Sequence, residues 1–395
     1  MTRLVPGRPP TAAVVGCLGF LLLGWSGLLV PSLIRSIEHD FGQSDAGMGL
    51  FYLLNAAAYV TGSMGGGAVT ERIGRRRVLA TGGLLIALGL LALATVPSWS
   101  LFLLAAIPFG LGSGVIDGGG NALFLDLFAA ARGRALNLLH LFFSLGALGS
   151  PFIVGRLVES GVGWQALIAG TGVAAIPFAL ALGLVDMPSG HHEGRDRSAT
   201  VAVRPALDRL LLALAIAIAL YVASEIGVSN WLVRFLSSAP LGVATTGLTL
   251  FWAGLTLGRL TSARLADRFD HARFASVSAV VMAGALVCAV VVPSLPLSLA
   301  LFALAGFASG PVYPLIMAIG GERFPGRSAA VAGFLAGAAV AGGLVYPPLM
   351  GLMSVTVGLP AAMVGTALLG LVCGIVLFVV GRRSAAAGPL AVVDS

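Results

Sequence analysis

Stretches of about 18 or more predominantly apolar residues recur along this 395-residue chain, each long enough to cross a hydrocarbon core about 30 Å thick. A soluble globule needs polar surface to cover itself, and little is available here. The chain is 58% hydrophobic and 10% charged, with a mean hydropathy of +1.00. These features predict an all-α, polytopic membrane protein. Bounded by Pro, Gly or charge, the spans are expected at 11–36, 46–70, 78–96, 100–128, 134–157, 164–185, 206–236, 242–266, 273–292, 296–320, 328–353 and 359–381, twelve in all. The first span is too long for a signal-peptide core and has no A-x-A-like cleavage site, so it is expected to be a retained helix.

Charge placement sets the orientation. There is no lysine, so all 23 basic residues are arginine. With the N-terminus inside, 20 of them fall on the cytoplasmic side, including Arg75–Arg77, Arg195, Arg197, Arg259, Arg382 and Arg383. Only Arg35, Arg156 and Arg234 fall outside. The positive-inside rule therefore puts both termini in the cytoplasm. The net charge of +7 is accounted for by this topology and is no sign of a nucleic-acid partner. Cys17, Cys288 and Cys373 lie in apolar segments, where they act as small hydrophobes.

One long polar interruption, "DMPSGHHEGRDRSATVAVRP" at 186–205, separates six spans from six. The expected organisation is an N-terminal six-helix bundle (1–185), a cytoplasmic linker (186–205) and a C-terminal six-helix bundle (206–395). His191 and His192 fit a solvated linker better than a metal tract. The halves also match at a constant offset of 196 residues. Gly62, Glu71 and Arg72 align with Gly258, Asp267 and Arg268; Gly110, Ser113 and Gly114 with Gly306, Ser309 and Gly310; Asp126 with Glu322; Pro151 with Pro347. Two pseudo-symmetric bundles imply a cavity near the bilayer midplane and alternating access by rocking.

The loop after the second span reads "GAVTERIGRRR", with Glu71 where G-x-x-x-D-R-x-G-R-R has Asp, and a degenerate copy, "GRLTSARLADRF", starts at Gly258. On these motifs the chain resembles the major facilitator superfamily, whose fold and secondary transport are then expected throughout. The resemblance implies a cytoplasmic charge network of Glu71, Arg72, Arg75 and Asp126 in the first half and Asp267, Arg268 and Glu322 in the second. It also implies a monomer in the cell inner membrane. The stretches "GSGVIDGGGNALFLDLF" and "RALNLLHLFFSLGALGSP" are similar to the fourth and fifth helices of the fucose–proton symporter family. That similarity places Asp117, Asn121 and Asn137 at an acid, an amide four positions on, and an amide opening the next helix. Ser26 or Gly27 stands where that family has a second acid, and His140 where it often has Gln. Fucose itself is therefore not implied, only a sugar or similar small polar solute.

Three titratable side chains stand away from the cytoplasmic ends: Asp117, His140 and Glu225. A charged Asp at mid-membrane costs roughly 2.5–3.5 kcal/mol on insertion scales, so such groups face cavities and work there. Asp117 lies about 11 residues, or about 16 Å, above the inner end of its helix. It is either the proton carrier or a neutral acid bonded to a neighbouring helix. Asn121 shares its face at i+4. Asn137, His140 and Ser144 share a face of the next helix; His140 either joins the proton path and the solute or satisfies an interhelical contact. Glu225 either faces the cavity or pairs with Arg234 or with another helix. Trp25, Tyr221, Trp231, Trp252 and Tyr313 lie on spans expected to line the cavity, where rings stack on a sugar or simply pack. Tyr313 is the repeat partner of Asp117.

Without lysine no Walker A loop exists, and no H-E-x-x-H, Cys/His metal spacing or G-x-S-x-G occurs. No cofactor, metal or enzymatic activity is expected. The expected partners are protons, a small-molecule solute and the lipid bilayer, in a symport driven by the proton gradient. Two alternatives stay open: a proton-antiport exporter of drug-like or hydrophobic compounds, and a receptor, which would be expected to carry a longer soluble tail.

Overall fold

The computed structural model describes residues 11–128, 132–187, 208–324 and 328–386. The linker, with His191 and His192, lies outside the described residues from position 188 to 207. The described elements are helical. They are α1 (Thr11–Gly27), α2 (Leu29–Phe41), α3 (Asp45–Ile73), α4 (Arg75–Thr95), α5 (Trp99–Leu127), α6 (Arg132–Glu159) and α7 (Trp164–Leu184). There follow α8 (Arg209–Phe235), α9 (Leu241–Leu265), α10 (His271–Val291), α11 (Leu295–Ser309), α12 (Val312–Arg323), α13 (Ser328–Val357) and α14 (Leu359–Ala386), with a 3-10 turn at Ala266–Arg268.

Two expected spans are each built from two helices. The first continues to Phe41 and breaks at Leu28. Pro31 has no N–H to give the Gly27 carbonyl four residues back, while the Ser32 hydroxyl donates to the Leu28 carbonyl at 2.6 Å beside the backbone bond from Ser32 N. The tenth breaks at Gly310–Pro311 for the same lack of a donor. With each pair taken as one stretch, 11 of the described segments are long and apolar enough to cross a membrane. The exception is α3. At 29 residues it has the length, but Tyr52, Asn55, Tyr59, Thr61 and Ser63 dilute its apolar character.

Two compact units divide the chain: Met1–Arg197 with Ser229–Thr249, and Ser198–Val228 with Leu250–Ser395. Within the first, α1 packs on α6, α3 on α5 and α4 on α7. Glycine brings the backbones of the first two pairs together. A Cβ at Gly24 would lie 1.9 Å from the Phe143 carbonyl oxygen, and one at Gly114 would lie 2.0 Å from that of Tyr59. Such contacts are the small-residue packing that membrane helices use in place of a hydrophobic drive.

The second unit repeats these crossings within itself. In the first unit Gly62 meets Leu111 and Gly110 meets Asn55; 196 residues on, Gly258 meets Phe307 and Gly306 meets Phe251. Gly310 meets Leu255 as Gly114 meets Tyr59. Ser113 and Ser309 each turn their hydroxyls to the carbonyl four residues back, at 2.8 Å in both. The offset read from the sequence is thus also a repeat of backbone contacts.

Candidate functional site

Gly110, Gly114 and Gly118 line the face of α5 that meets α3, and their missing side chains let the two backbones touch. That approach brings Tyr59 of α3 to Asp117. The Tyr59 hydroxyl hydrogen-bonds the carboxyl. From one turn further along α5, Asn121 Nδ2 donates to Asp117 Oδ1 at 3.1 Å and to the Asp117 carbonyl at 3.0 Å. The acid is half-buried and held by two donors from two helices. Donors aimed at a carboxyl favour its ionised form, whereas removal from water favours the neutral one. An acid under both influences is suited to binding and releasing a proton.

On α6, Asn137 and His140 are exposed, whereas Ser144 is buried with its hydroxyl on the His140 carbonyl at 3.0 Å. The His140 ring packs edge-on against Phe20 of α1, with centroids 5.5 Å apart. A Cβ at Gly120 of α5 would meet the same ring at 2.6 Å. Phe20 therefore lies between the acid-bearing helix and the histidine. Trp25 is committed locally, its indole donating to Thr171 Oγ1 at 3.0 Å.

In the second unit Glu225 accepts a hydrogen bond from Tyr221, which is fully buried one turn earlier on α8. Arg259 Nη2 of α9 lies 3.9 Å from the same carboxyl. Arg259 was expected among the inner arginines; it sits inside α9 and reaches this acid. Arg234 does not serve Glu225: its Nε reaches Glu38 Oε2 at 2.8 Å and Asp45 Oδ1 at 2.7 Å. Trp231 and Trp252 are buried and Tyr313 is half-buried.

Of the residues expected in a charge network, Arg75 and Asp126 meet in the first unit. Arg75, the first residue of α4, is buried and donates from Nη2 to Asp126 Oδ2 at 2.5 Å. Glu71 and Arg72 are exposed at the end of α3. In the second unit Glu322 pairs with His271 Nδ1 at 2.8 Å. His271 stands 196 residues after Arg75, as Glu322 does after Asp126. The repeat therefore preserves the pair and exchanges its cation for one charged only while protonated. Arg268 is exposed, and the side chain of Asp267 lies outside the described residues.

A cavity of about 550 Å³ in the first unit is lined by His39, Asp40, Trp164 and Gln165 among others. The residues expected to bind solute do not line it. Among the described residues no three His, Cys, Asp or Glu side chains converge as metal ligands would.

Comparison with known proteins agrees with this architecture. The sequence profile described as Major Facilitator Superfamily matches residues 14–248 and 210–393. The sodium-dependent glucose transporter 1A of Mus musculus is 26% identical over 134 residues, 34% of this chain and 32% of that protein, so the chain spans about a third of its length. A bacterial homologue of the human lysosomal transporter Spinster superposes with a TM-score of 0.82 at 16% identity, over 98% of this chain and 100% of that one. The E. coli fucose:proton symporter superposes with a TM-score of 0.65 at 21% identity, over 94% and 98%. The paired helices, their repeated crossings and the profile match thus make this chain a member of the major facilitator superfamily, a multi-pass membrane transporter.

Proposed function

We propose that the chain is a proton-coupled symporter for a sugar or similar small polar solute, working by alternating access as a monomer in the cell inner membrane. In this reading it has twelve spans with both termini cytoplasmic, α3 serving as the second span. It works as two six-helix bundles, 1–185 and 206–395, joined by the linker 186–205. Asp117 carries the proton, and Glu225 and His140 are further candidates for it. Asn121, Asn137, His140, Ser144, Trp25, Tyr221, Trp252 and Tyr313 are the candidate solute contacts. The inner charge network is Glu71, Arg72, Arg75 and Asp126 with Asp267, Arg268 and Glu322.

The observation that carries the reading is a single one: a carboxyl in the middle of α5, held by Tyr59 and Asn121. A neutral acid crosses the low-dielectric interior more cheaply than a charged one, so carrier and cargo move together when the proton is bound. A solute hydroxyl that draws away one of the two donors removes support from the ionised form, which ties solute binding to proton uptake. The likeness to proteins named as sugar transporters supports the solute class. The test is uptake into proteoliposomes under an imposed pH gradient. Wild-type protein is expected to accumulate the solute, and Asp117→Asn to exchange it across the membrane without accumulating it. Full accumulation by the variant refutes the assignment.

A further inference from the structure

Two carboxyl groups share one guanidinium in the first unit, at positions remote from Asp117 in sequence. Arg234 reaches both Glu38 and Asp45, whose side chains are only 9% and 7% exposed. Both acids meet the same atom, Arg234 Nε, whose single N–H lies between oxygens 2.8 and 2.7 Å away, so the two carboxyls crowd one donor. Ionised carboxylates only accept and repel each other, so a proton on one of them relieves that crowding. One arginine also balances only one negative charge.

The helices decide which acid holds the proton. Asp45 opens α3, where free N–H groups favour an anion, whereas Glu38 lies in the last turn of α2, where carbonyls oppose one. Glu38 Oε1 is moreover buried without a hydrogen-bond partner, a costly position for half of a charged carboxylate. Both arguments put the proton on Glu38.

The other polar groups nearby are engaged with the segment 229–249 or point elsewhere. Arg35 donates to the carbonyls of Ala239 and Ser237 at 3.0 and 3.1 Å. The Tyr52 hydroxyl donates to the Asn230 carbonyl at 3.2 Å. Glu159 accepts from the Gly242 amide at 2.7 Å. His39 and Asp40 pair with each other at the exposed edge. Every one of these bonds fastens the segment except the last, and Arg234 is the point where the segment meets the two acids.

We infer that Glu38 and Asp45 form a second proton-binding site, and that its shared proton is the condition for Arg234 to clamp the segment 229–249. Loss of the proton leaves two buried negative charges against one guanidinium, and their repulsion opens the clamp. The site goes beyond the proposed transport reaction, because neither Asp117 nor the solute takes part in it.

Ala239 is 5% exposed under Arg35 and reports the clamp. In full-length protein in nanodiscs, with Cys17, Cys288 and Cys373 replaced by Ser, the maleimide labelling rate of Ala239→Cys is measured from acidic to alkaline pH. Each rate is divided by the thiolate fraction measured for that cysteine, which cancels the thiol's own ionisation, and Ser238→Cys, an exposed neighbour, is the reference. The ratio is expected to rise about ten-fold with pH. In Glu38→Gln, neutral at every pH, it stays low and flat. Asp117→Asn is expected to keep the wild-type profile, so failure of the transport reading and failure of this one are separable. Infrared spectra supply a readout independent of the cysteines: a protonated-carboxyl band in wild type that Glu38→Gln lacks. A flat wild-type ratio, a pH response that persists in Glu38→Gln, or an unchanged infrared band overturns the inference.

Discussion

Asp126→Asn removes the charge that Arg75 faces while keeping the shape of the side chain. The Arg75 guanidinium is 7% exposed and the Asp126 carboxylate 20%, with 2.5 Å between them. Arg75 also begins α4, where the N–H groups already disfavour a cation. Breaking a buried pair from one side costs about 3–5 kcal/mol. The solvent reaching Asp126 puts the expected loss at the lower end, about 3 kcal/mol. The repeat supplies a control at the equivalent position. Glu322 is 58% exposed against His271, so Glu322→Gln is expected to cost about 0.5 kcal/mol or less. A third variant, Arg75→Met with Asp126→Leu, removes both charges and is expected to recover most of the loss, because no unpaired ion stays buried. Reversible unfolding in mixed micelles of rising SDS content, followed by tryptophan fluorescence, measures all three. Equal costs at Asp126 and Glu322, or a double variant no better than the single, would refute the role given to burial.

Gly114→Ala places a Cβ 2.0 Å from the Tyr59 carbonyl oxygen and is expected to cost about 1–3 kcal/mol in the same assay; Gly284→Ala, with no atom within 4 Å, is expected to be neutral or to stabilise by up to about 1 kcal/mol. Tyr59→Phe takes one donor from Asp117, an interaction of about 1.5–3 kcal/mol, and is expected to lower proton-driven accumulation by about ten-fold while leaving solute exchange intact. Unchanged accumulation in that variant would remove Tyr59 from the site.

Helix content and the internal offset were legible because they rest on local signals: long apolar runs, and glycines recurring at fixed spacing. Gly62, Gly110 and Gly114 align with Gly258, Gly306 and Gly310 in sequence, and each meets the equivalent backbone in its own unit. Asp117 and Asn121 were legible as a pair because i+4 spacing on a helix guarantees proximity. Tyr59 was not, because nothing local links α3 to α5; the hint was the run of glycines on α5 that implies a close neighbour. Arg234 carried no mark distinguishing Glu225 from Glu38 and Asp45 as its partner, since separation along the chain says little about which helices meet. The partner of Arg259 was hidden for a related reason. A charge near a helix end serves orientation in most places, and only the contact with Glu225 shows that this one turns inward. The break in the tenth span had a visible cause in Pro311. The one at Leu28, three residues before Pro31, was not legible, because Pro108, Pro151 and Pro177 sit inside helices that run on unbroken.

The glycine crossings have a mechanical consequence. Where α3 meets α5, and again where α9 meets α11, main chain rests on main chain with no side chain between to yield. Such a joint has neither rotamers to switch nor slack to slide through, so each pair travels as one stiff beam. Any bending during a working cycle is then left to places without that bracing, foremost the interruption at Leu28, beside Gly27, where an added Cβ would meet no atom within 4 Å.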